Sequence, residues 1–276
     1  MKKTPIMHYQ KEHPRVVKLE LDDESVVALK VAKTHEVAKC EARVLSTLNQ
    51  LDALVPNLIA YDEAQGVLLL EYLNGRPLGL FKPEELKPYY HLFMQSSERL
   101  KELFESVSSQ FTDLAVNVDK DKFRNEMKEI GEYLSQKIEF PILAQQSWHD
   151  ILELVLSQPL SFGSRDYSPY NIILQGEKMY FLDFETVGFD WQARRFWQYT
   201  TILRDEKGYC WHPVFHDLCF SDPILDAHYV LFAAMGIVRW KVHERAGISI
   251  QKVWRNQSAS FPALISWRRA WNIDIN

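Results

Sequence analysis

Residues Phe162–Leu174 read FGSRDYSPYNIIL, and Met179–Glu185 read MYFLDFE. Strand-forming residues run up to a polar loop in the first segment and resume in IIL. QGEK, residues Gln175–Lys178, then supplies a hairpin turn into the second segment. Asp166 opens the loop, ahead of Tyr167-Ser168-Pro169-Tyr170. Asn171 closes it, and Asp183 follows the partner strand. A hairpin brings the ends of its strands together, so Asn171 and Asp183 are placed to offer oxygen to one Mg²⁺ ion. Asp166, beside that ion, is placed to accept a hydroxyl proton. Singly, each residue also has an ordinary reading: Asp166 caps a turn before Pro169, and Asn171 ends it.

Upstream, RVVKLEL (Arg15–Leu21) and SVVALKVAK (Ser25–Lys33) flank the short turn DDE. THEVAKCEARVLSTLNQL has helical periodicity, with Val37, Val44, Leu45 and Leu48 on one face and Thr34 as N-cap. After Pro56, NLIAYDEAQGVLLLEYL reads as two strands turning at Gly66, and NGRPL breaks the pattern. From Pro83 onward the chain is mainly helical by period and propensity, apart from the hairpin above. The expected organisation is a nucleotide-binding N-lobe over residues 1–73 and a helical C-lobe over residues 74–276. The C-lobe carries the loop, the metal site and an acceptor pocket.

Asp-x4-Asn followed by Asp-Phe across a short hairpin is a phosphoryl-transfer layout. Such chemistry also needs a lysine on a strand and a glutamate on the next helix. Lys30 in VVALK and Glu41 in KCEARVL stand at those places. Taken alone, Lys30 reads as a solvated strand-end lysine and Glu41 as a helix surface charge. With VPNLIAYD, LLLEYLNGRPL, SRDYSPYNIIL and FLDFE in the same order and spacing, the chain resembles the aminoglycoside phosphotransferase and choline kinase-like family from about Arg15 to Tyr199.

The resemblance implies an α+β, bilobal protein-kinase-like fold, with a small antiparallel sheet and one helix in the N-lobe and a larger, mainly helical C-lobe. It implies Asp166 as catalytic base and a Mg²⁺ site made by Asn171 and Asp183 together with Glu185, the acidic residue typical of this place. It implies Lys30 on the nucleotide phosphates, oriented by Glu41, and Glu71, Tyr72 and Leu73 against the base. The activity implied is transfer of phosphoryl from ATP (or GTP), with Mg²⁺, to a hydroxyl of a small molecule. A regulatory nucleotide-binding pseudokinase and a protein kinase are the alternatives. Glu185 where protein kinases usually carry Gly, with no Ala-Pro-Glu segment after it, makes the last the weakest.

Two positions depart from the pattern. The nucleotide loop is expected near Tyr9–Arg15, yet the first glycine in the chain is Gly66. Without glycine, backbone N–H groups approach phosphates less easily, leaving Lys11, His13 or Arg15 to compensate with side-chain charge, or a degenerate loop. The motif usually written His-x-Asp is Ser164-Arg165-Asp166.

The totals set outer limits. At 276 residues and 46% hydrophobic the chain has ample material for a core, and a mixed net charge of −5 gives no sign of a nucleic-acid partner. Three irregularly spaced cysteines argue against a disulfide framework and for a reducing compartment. The basic N-terminus has no apolar h-region, and the run Ala227–Val238 is too short to span a bilayer, so a cytoplasmic protein with no membrane partner is expected. CWHPVFHDLC (Cys210–Cys219) has zinc-capable side chains but no paired CxxC, and reads as core and surface loop. His216 and Asp217 are alternatively acceptor-pocket residues. Trp211, Trp240, Trp254, Trp267 and Trp271 read as C-lobe packing. From Trp211 on, Arg239, Lys241, Arg245, Lys252, Arg255, Arg268 and Arg269 stand against five acids, a balance that does not favour a polycationic substrate.

Overall fold

Hairpins and one capped helix build the first part of the chain. In the computed structural model, the residues described are 2–5, 15–137, 145–166, 168–202, 212–215, 222–239, 241, 244, 247, 249 and 250. Strand β1 is Lys2–Pro5, β2 Val16–Glu20 and β3 Val26–Val31, followed by helix α1, His35–Asn49. Next come β4 (Leu58–Asp62), β5 (Val67–Glu71), β6 (Arg76–Pro77), α2 (Pro83–Leu86) and α3 (Tyr90–Val107). Helices α4 (Lys120–Lys137) and α5 (Gln145–Ser157) precede β7 (Ser161–Ser164), β8 (Ile172–Gln175), β9 (Lys178–Phe181) and β10 (Val187–Asp190). Helix α6 (Gln192–Thr200), β11 (Thr201–Ile202), β12 (His212–Pro213) and α7 (Pro223–Val238) follow.

The chain divides into two compact units. The first comprises Met1–Phe81, Pro88–Asn117 and Ser161–Phe189. Its five-stranded antiparallel sheet has the order β1-β2-β3-β5-β4, which makes β3 the central strand. The β2–β3 turn is closed by the Asp23 carboxylate, which accepts from the Ser25 N–H at 3.1 Å and its hydroxyl at 2.6 Å. Thr34 caps α1, its hydroxyl accepting from the Val37 N–H at 3.3 Å. The helix turns Ala38, Val44, Leu45 and Leu48 into the core, and Glu41 lies on that same buried face.

A second sheet, β6-β8-β9, contains the hairpin read from the sequence, with Ile172 opposite Phe181 and Gly176 at φ +60° in the turn. Gly75 lets β6 approach this hairpin. A Cβ there would come within 2.3 Å of Ile173 Cγ2 and 2.5 Å of the Leu174 carbonyl oxygen. Helix α3 packs on β7 and β9, and its Phe104 meets Phe162 at 5.9 Å and Phe184 at 5.7 Å between ring centres. Phe111 stacks on Phe162 at 6.0 Å between ring centres. The polar loop therefore stands on an aromatic floor, with Phe162 and Phe184 almost wholly buried.

The second unit comprises Lys82–Lys87, Val118–Leu160 and Asp190–Asn276. Its helices α4, α5 and α6 all pack on α7. Nearly every residue from Asp226 to Ile237 in α7 is buried, which accounts for the apolar run noted in the sequence. Asp222 caps this helix through the N–H groups of Ile224 and Leu225. No helix among the described residues is long and apolar enough to cross a membrane. The segments 6–14 and 251–276 lie outside the described residues, as do Trp211, Trp240, Cys210, His216, Asp217 and Cys219.

Candidate active site

Lys30 lies in the central strand, opposite Val16 on one side and Leu68 on the other. Only 6% of its surface is exposed. An ammonium in that position needs anionic partners, since the desolvation of a lone ion costs several kcal/mol. Glu41, on the buried face of α1, meets it at 2.7 Å. Asp183 meets it at 2.9 Å and Glu185 at 3.1 Å. Burial favours the neutral amine, but Glu41, Asp183 and Glu185 together outweigh it and hold Lys30 above its ordinary pKa. Burial pushes Glu41 upward, with Lys30 pulling it back. The Glu41 Oε1 atom also accepts the Phe184 N–H at 3.4 Å, and the neighbouring Cys40 thiol donates to the Phe184 carbonyl at 3.6 Å. Helix α1 thus grips the backbone on both sides of Phe184. Burial raises the Cys40 thiol to about 11, so it stays protonated at neutral pH.

Ser164 ends β7 and is 3% exposed. Its hydroxyl donates to the Asp183 carbonyl at 3.2 Å and accepts the Asp166 N–H at 3.2 Å. A single hydroxyl therefore ties the start of the Asp166 loop to the backbone of Asp183. Arg165 extends the clamp by donating to the carbonyls of Val116 (2.9 Å) and Phe189 (3.3 Å). A turn of 3-10 helix, Pro169–Asn171, follows, capped by the Ser168 hydroxyl. The Asn171 amide then donates back to the Asp166 carbonyl at 3.2 Å, which leaves its side-chain oxygen as the atom for a metal. The Asn171 carbonyl accepts from the Leu182 N–H at 2.8 Å, one residue before Asp183. Asp183 itself has φ +66°. Aspartate is among the few residues that tolerate this left-handed backbone, at a cost of about 1 kcal/mol or more.

Asp166 is exposed at the loop, yet crowding by surrounding protein raises its pKa, and Asp183 and Glu185 add to the push against Lys33 and Lys30. A carboxylate of raised basicity suits proton acceptance. Glu185 is 7% exposed and shares its Oε1 between Lys30 and the Arg15 guanidinium, the latter at 2.8 Å. Lys33 reaches the other carboxylate oxygen at 3.7 Å. Burial works to raise Glu185, but Lys30 and Arg15 overcome it and hold the carboxyl below the ordinary range.

Lys30, Glu41, Asp183 and Glu185 thus form one cluster, and Asp166 and Asn171 are tied to it through Ser164 and Leu182. Three of these carboxylates, on Glu41, Asp183 and Glu185, bring one oxygen each to within 4.8 Å of one another. Such a hard-oxygen set suits Mg²⁺. Asp183 is the most exposed of the three and Glu41 is almost wholly buried. At the end of β5, Glu71 spends its carboxylate on the Asn57 N–H (3.1 Å) and side-chain amide (2.8 Å). Lys18 covers the Tyr72 ring, and Leu73 is buried. These three residues are outside the ionic cluster. Lys33 has no counterpart in the sequence reading; the signal available for it was a second lysine three residues beyond Lys30.

No protein-family model matches this chain, and no curated protein sequence does. Solved structures do match. An aminoglycoside phosphotransferase from Alicyclobacillus acidocaldarius aligns with a TM-score of 0.57 at 10% identity, covering 98% of this chain and 92% of that one. Choline kinase LicA from Streptococcus pneumoniae aligns at 0.51 and 12% identity, covering 96% of this chain and 94% of that one. At such identities the likeness establishes the fold alone: an α+β, protein-kinase-like architecture with a small antiparallel sheet and a larger helical part, as the sequence led one to expect.

Proposed function

We propose that this protein is a phosphotransferase that moves the γ-phosphoryl group of ATP or GTP to a hydroxyl of a small molecule. The observation that supports this most is the Lys30 cluster. A buried strand lysine paired with a helix glutamate also touches the aspartate that follows the hairpin. Ion clusters of this kind cost desolvation energy, and packing alone would be served as well by apolar side chains. Lys30 would meet the nucleotide phosphates, exchanging Asp183 and Glu185 for phosphate oxygens while Glu41 holds its position. Asp183 and the side-chain oxygen of Asn171 would hold Mg²⁺, with Glu185 adjacent. The metal, when bound, neutralises charge on the phosphate oxygens. Asp166 would accept the proton of the acceptor hydroxyl as that oxygen bonds to the γ-phosphorus. The bond from that phosphorus to the β-phosphate oxygen breaks, and the diphosphate leaves. Residues Glu71–Leu73 are proposed to border the base. The division into a nucleotide-binding lobe (1–73) and a catalytic, acceptor-binding lobe (74–276) belongs to the same proposal.

The two structural neighbours are named for an amino alcohol and an aminoglycoside as substrates. The basic surplus after Trp211 favours a sugar, amino alcohol or related metabolite over a polycation. The absence of glycine before Gly66 is the feature that favours a second reading, nucleotide binding without turnover. The test is the melting temperature with ATP or GTP, with and without Mg²⁺, followed by turnover on a panel of small alcohols. A Mg²⁺-dependent rise lost in Asp183→Ala, and turnover lost in Asp166→Asn with nucleotide binding retained, are the expected results. No shift at millimolar nucleotide would refute the reading. A shift without turnover on any acceptor would move it to the second one.

A further inference from the structure

Between α3 and α4, residues 110–117 are tied at one end to α1 and at the other to the loop of Asp166. At the first end, Arg43 of α1 donates from Nη1 to the Asp113 carboxylate at 2.7 Å and from Nη2 to the Gln110 carbonyl. Its guanidinium also stands 5.7 Å from the centre of the Phe111 ring, which stacks on Phe162 of β7. At the second end the backbone joins β10. The Val116 N–H donates to the Val187 carbonyl at 2.8 Å, and the Asn117 side-chain oxygen accepts the Phe189 N–H at 3.0 Å. Gly188 makes this approach possible, since a Cβ there would come within 2.1 Å of the Val116 carbonyl oxygen. That same oxygen accepts from Arg165, the residue before Asp166, at 2.9 Å. The helix that carries Glu41 and the loop that carries Asp166 therefore share one short stretch of chain.

We infer that residues 110–117 are a strap between α1 and the Asp166 loop, with Arg43 and Arg165 as positioning residues that set where the Asp166 carboxylate stands for proton acceptance, a role that rests on the phosphotransferase reading. Arg165 acts from next door: one guanidinium nitrogen holds the carbonyls of both Val116 and Phe189, which fixes the backbone that leads into Asp166. Arg43 acts from further off. It lies two residues beyond Glu41 on α1, and its side chain is 40% exposed against 60% for Asp113. An ion pair so exposed adds little to stability. Its three partners instead fix the start of the strap relative to α1, while Glu41 and Cys40 fix α1 relative to Phe184. Reaction rate is far more sensitive than stability to a displacement of this size.

The test compares the full chain with Arg43→Gln, Arg165→Met, Arg165→Lys and the double variant Arg43→Gln/Arg165→Met. Turnover is read as ADP release from Mg²⁺-ATP, with the panel of small alcohols and with water alone as acceptor, and nucleotide affinity by calorimetric titration of Mg²⁺-ATP. Arg165→Met should lose roughly tenfold to a hundredfold in kcat and Arg43→Gln roughly threefold to tenfold, each with ATP affinity within about twofold of the wild type. Arg165→Lys should recover part of the loss. The double variant should fall no further than Arg165→Met alone, whereas independent effects would multiply. Full turnover in Arg43→Gln, losses that multiply, or a loss in ATP affinity in place of kcat overturns the inference, and a wild type that binds ATP and releases ADP leaves the phosphotransferase reading standing. A wild type that releases no ADP with any acceptor overturns both. If Arg165→Met fails to fold, Arg165→Lys and the exposed Arg43→Gln decide: full turnover in both is the refuting result.

Discussion

Replacing Lys30 with methionine keeps the length and apolar stem of the side chain and removes its charge. Glu41, 1% exposed and 2.7 Å from the lysine nitrogen, is then left without that cation. Removing one member of a buried pair costs about 3–5 kcal/mol, because the remaining ion stays desolvated. The loss must depend on pH, and the sign follows from the carboxyl. Burial already pushes Glu41 above its ordinary value with Lys30 opposing; in Lys30→Met the opposition is gone. The folded variant then holds a proton on Glu41 that the unfolded chain releases above about pH 4.5. Its stability therefore falls as pH rises from there toward the folded pKa, by about 1.4 kcal/mol per pH unit. Urea unfolding at pH 5, 6, 7 and 8, for wild type, Lys30→Met and the pair Lys30→Met/Glu41→Gln, measures this. The single variant should approach the wild type near pH 5 and fall away by pH 8. The double variant keeps an oxygen for the Phe184 N–H and should show little of that slope. A penalty under about 0.5 kcal/mol at pH 7, or one of equal size at every pH, would mean that the Lys30–Glu41 pair is not the desolvated pair described.

Ser164→Ala removes a hydroxyl bonded at 3.2 Å both to the Asp183 carbonyl and to the Asp166 N–H. We expect a stability loss of about 1–2 kcal/mol and a larger fall in kcat than in nucleotide affinity, with Ser164→Thr recovering part of both. Unchanged turnover in the alanine variant would separate the hydroxyl from catalysis. In the second unit, burial and the nearby Asp222 push Asp226, 5% exposed in α7, up to about 7. A raised carboxyl stabilises the fold at low pH and loses that contribution as pH climbs through the folded value. Wild-type stability should accordingly drop between about pH 4 and 7, by an amount on the order of 4 kcal/mol. Asp226→Asn should flatten that drop, and an identical pH profile for variant and wild type in urea unfolding would refute it.

The parts of the site legible in the sequence are those that short-range geometry determines. Thr34 caps α1 because its hydroxyl sits three residues before an orphan N–H, and the expected apolar face is met by Val44, Leu45 and Leu48, although Ala38 rather than the half-buried Val37 completes it and Glu41, a surface charge by position alone, is buried against Lys30. The spacing from Asn171 to Asp183 is set by a two-stranded hairpin with Gly176 in its turn, so the ends were bound to meet. What stayed hidden depends on residues remote in the chain. Glu185 is 170 residues from Arg15, and nothing local to FLDFE says that its carboxylate will be shared by three cations, Arg15, Lys30 and Lys33. Nor does local pattern reveal that α3 joins the first unit, since the choice is made by Phe104 against Phe162 and Phe184.

Ser164 shows why a departure from a motif need not be a loss. Serine is too short to span the distances that imidazole bridges, yet here β7 brings the Asp183 carbonyl to the hydroxyl itself. The same contact helps hold Asp183 at φ +66°, a conformation that must be over-determined by its surroundings to persist. Four constraints converge on that short segment: Ser164 on the carbonyl of Asp183, Lys30 on its carboxylate, Glu41 on the N–H of Phe184 and Cys40 on its carbonyl. The two neutral ones, from Ser164 and Cys40, are individually weak, about 1 kcal/mol for a neutral hydrogen bond. Their shared target makes them mutually dependent. Loosening α1 or β7 should therefore release the Asp183 carboxylate from Lys30 as a unit, and double-mutant cycles between Ser164→Ala and Cys40→Ala should show coupling above the 0.3–0.5 kcal/mol or so expected of independent sites.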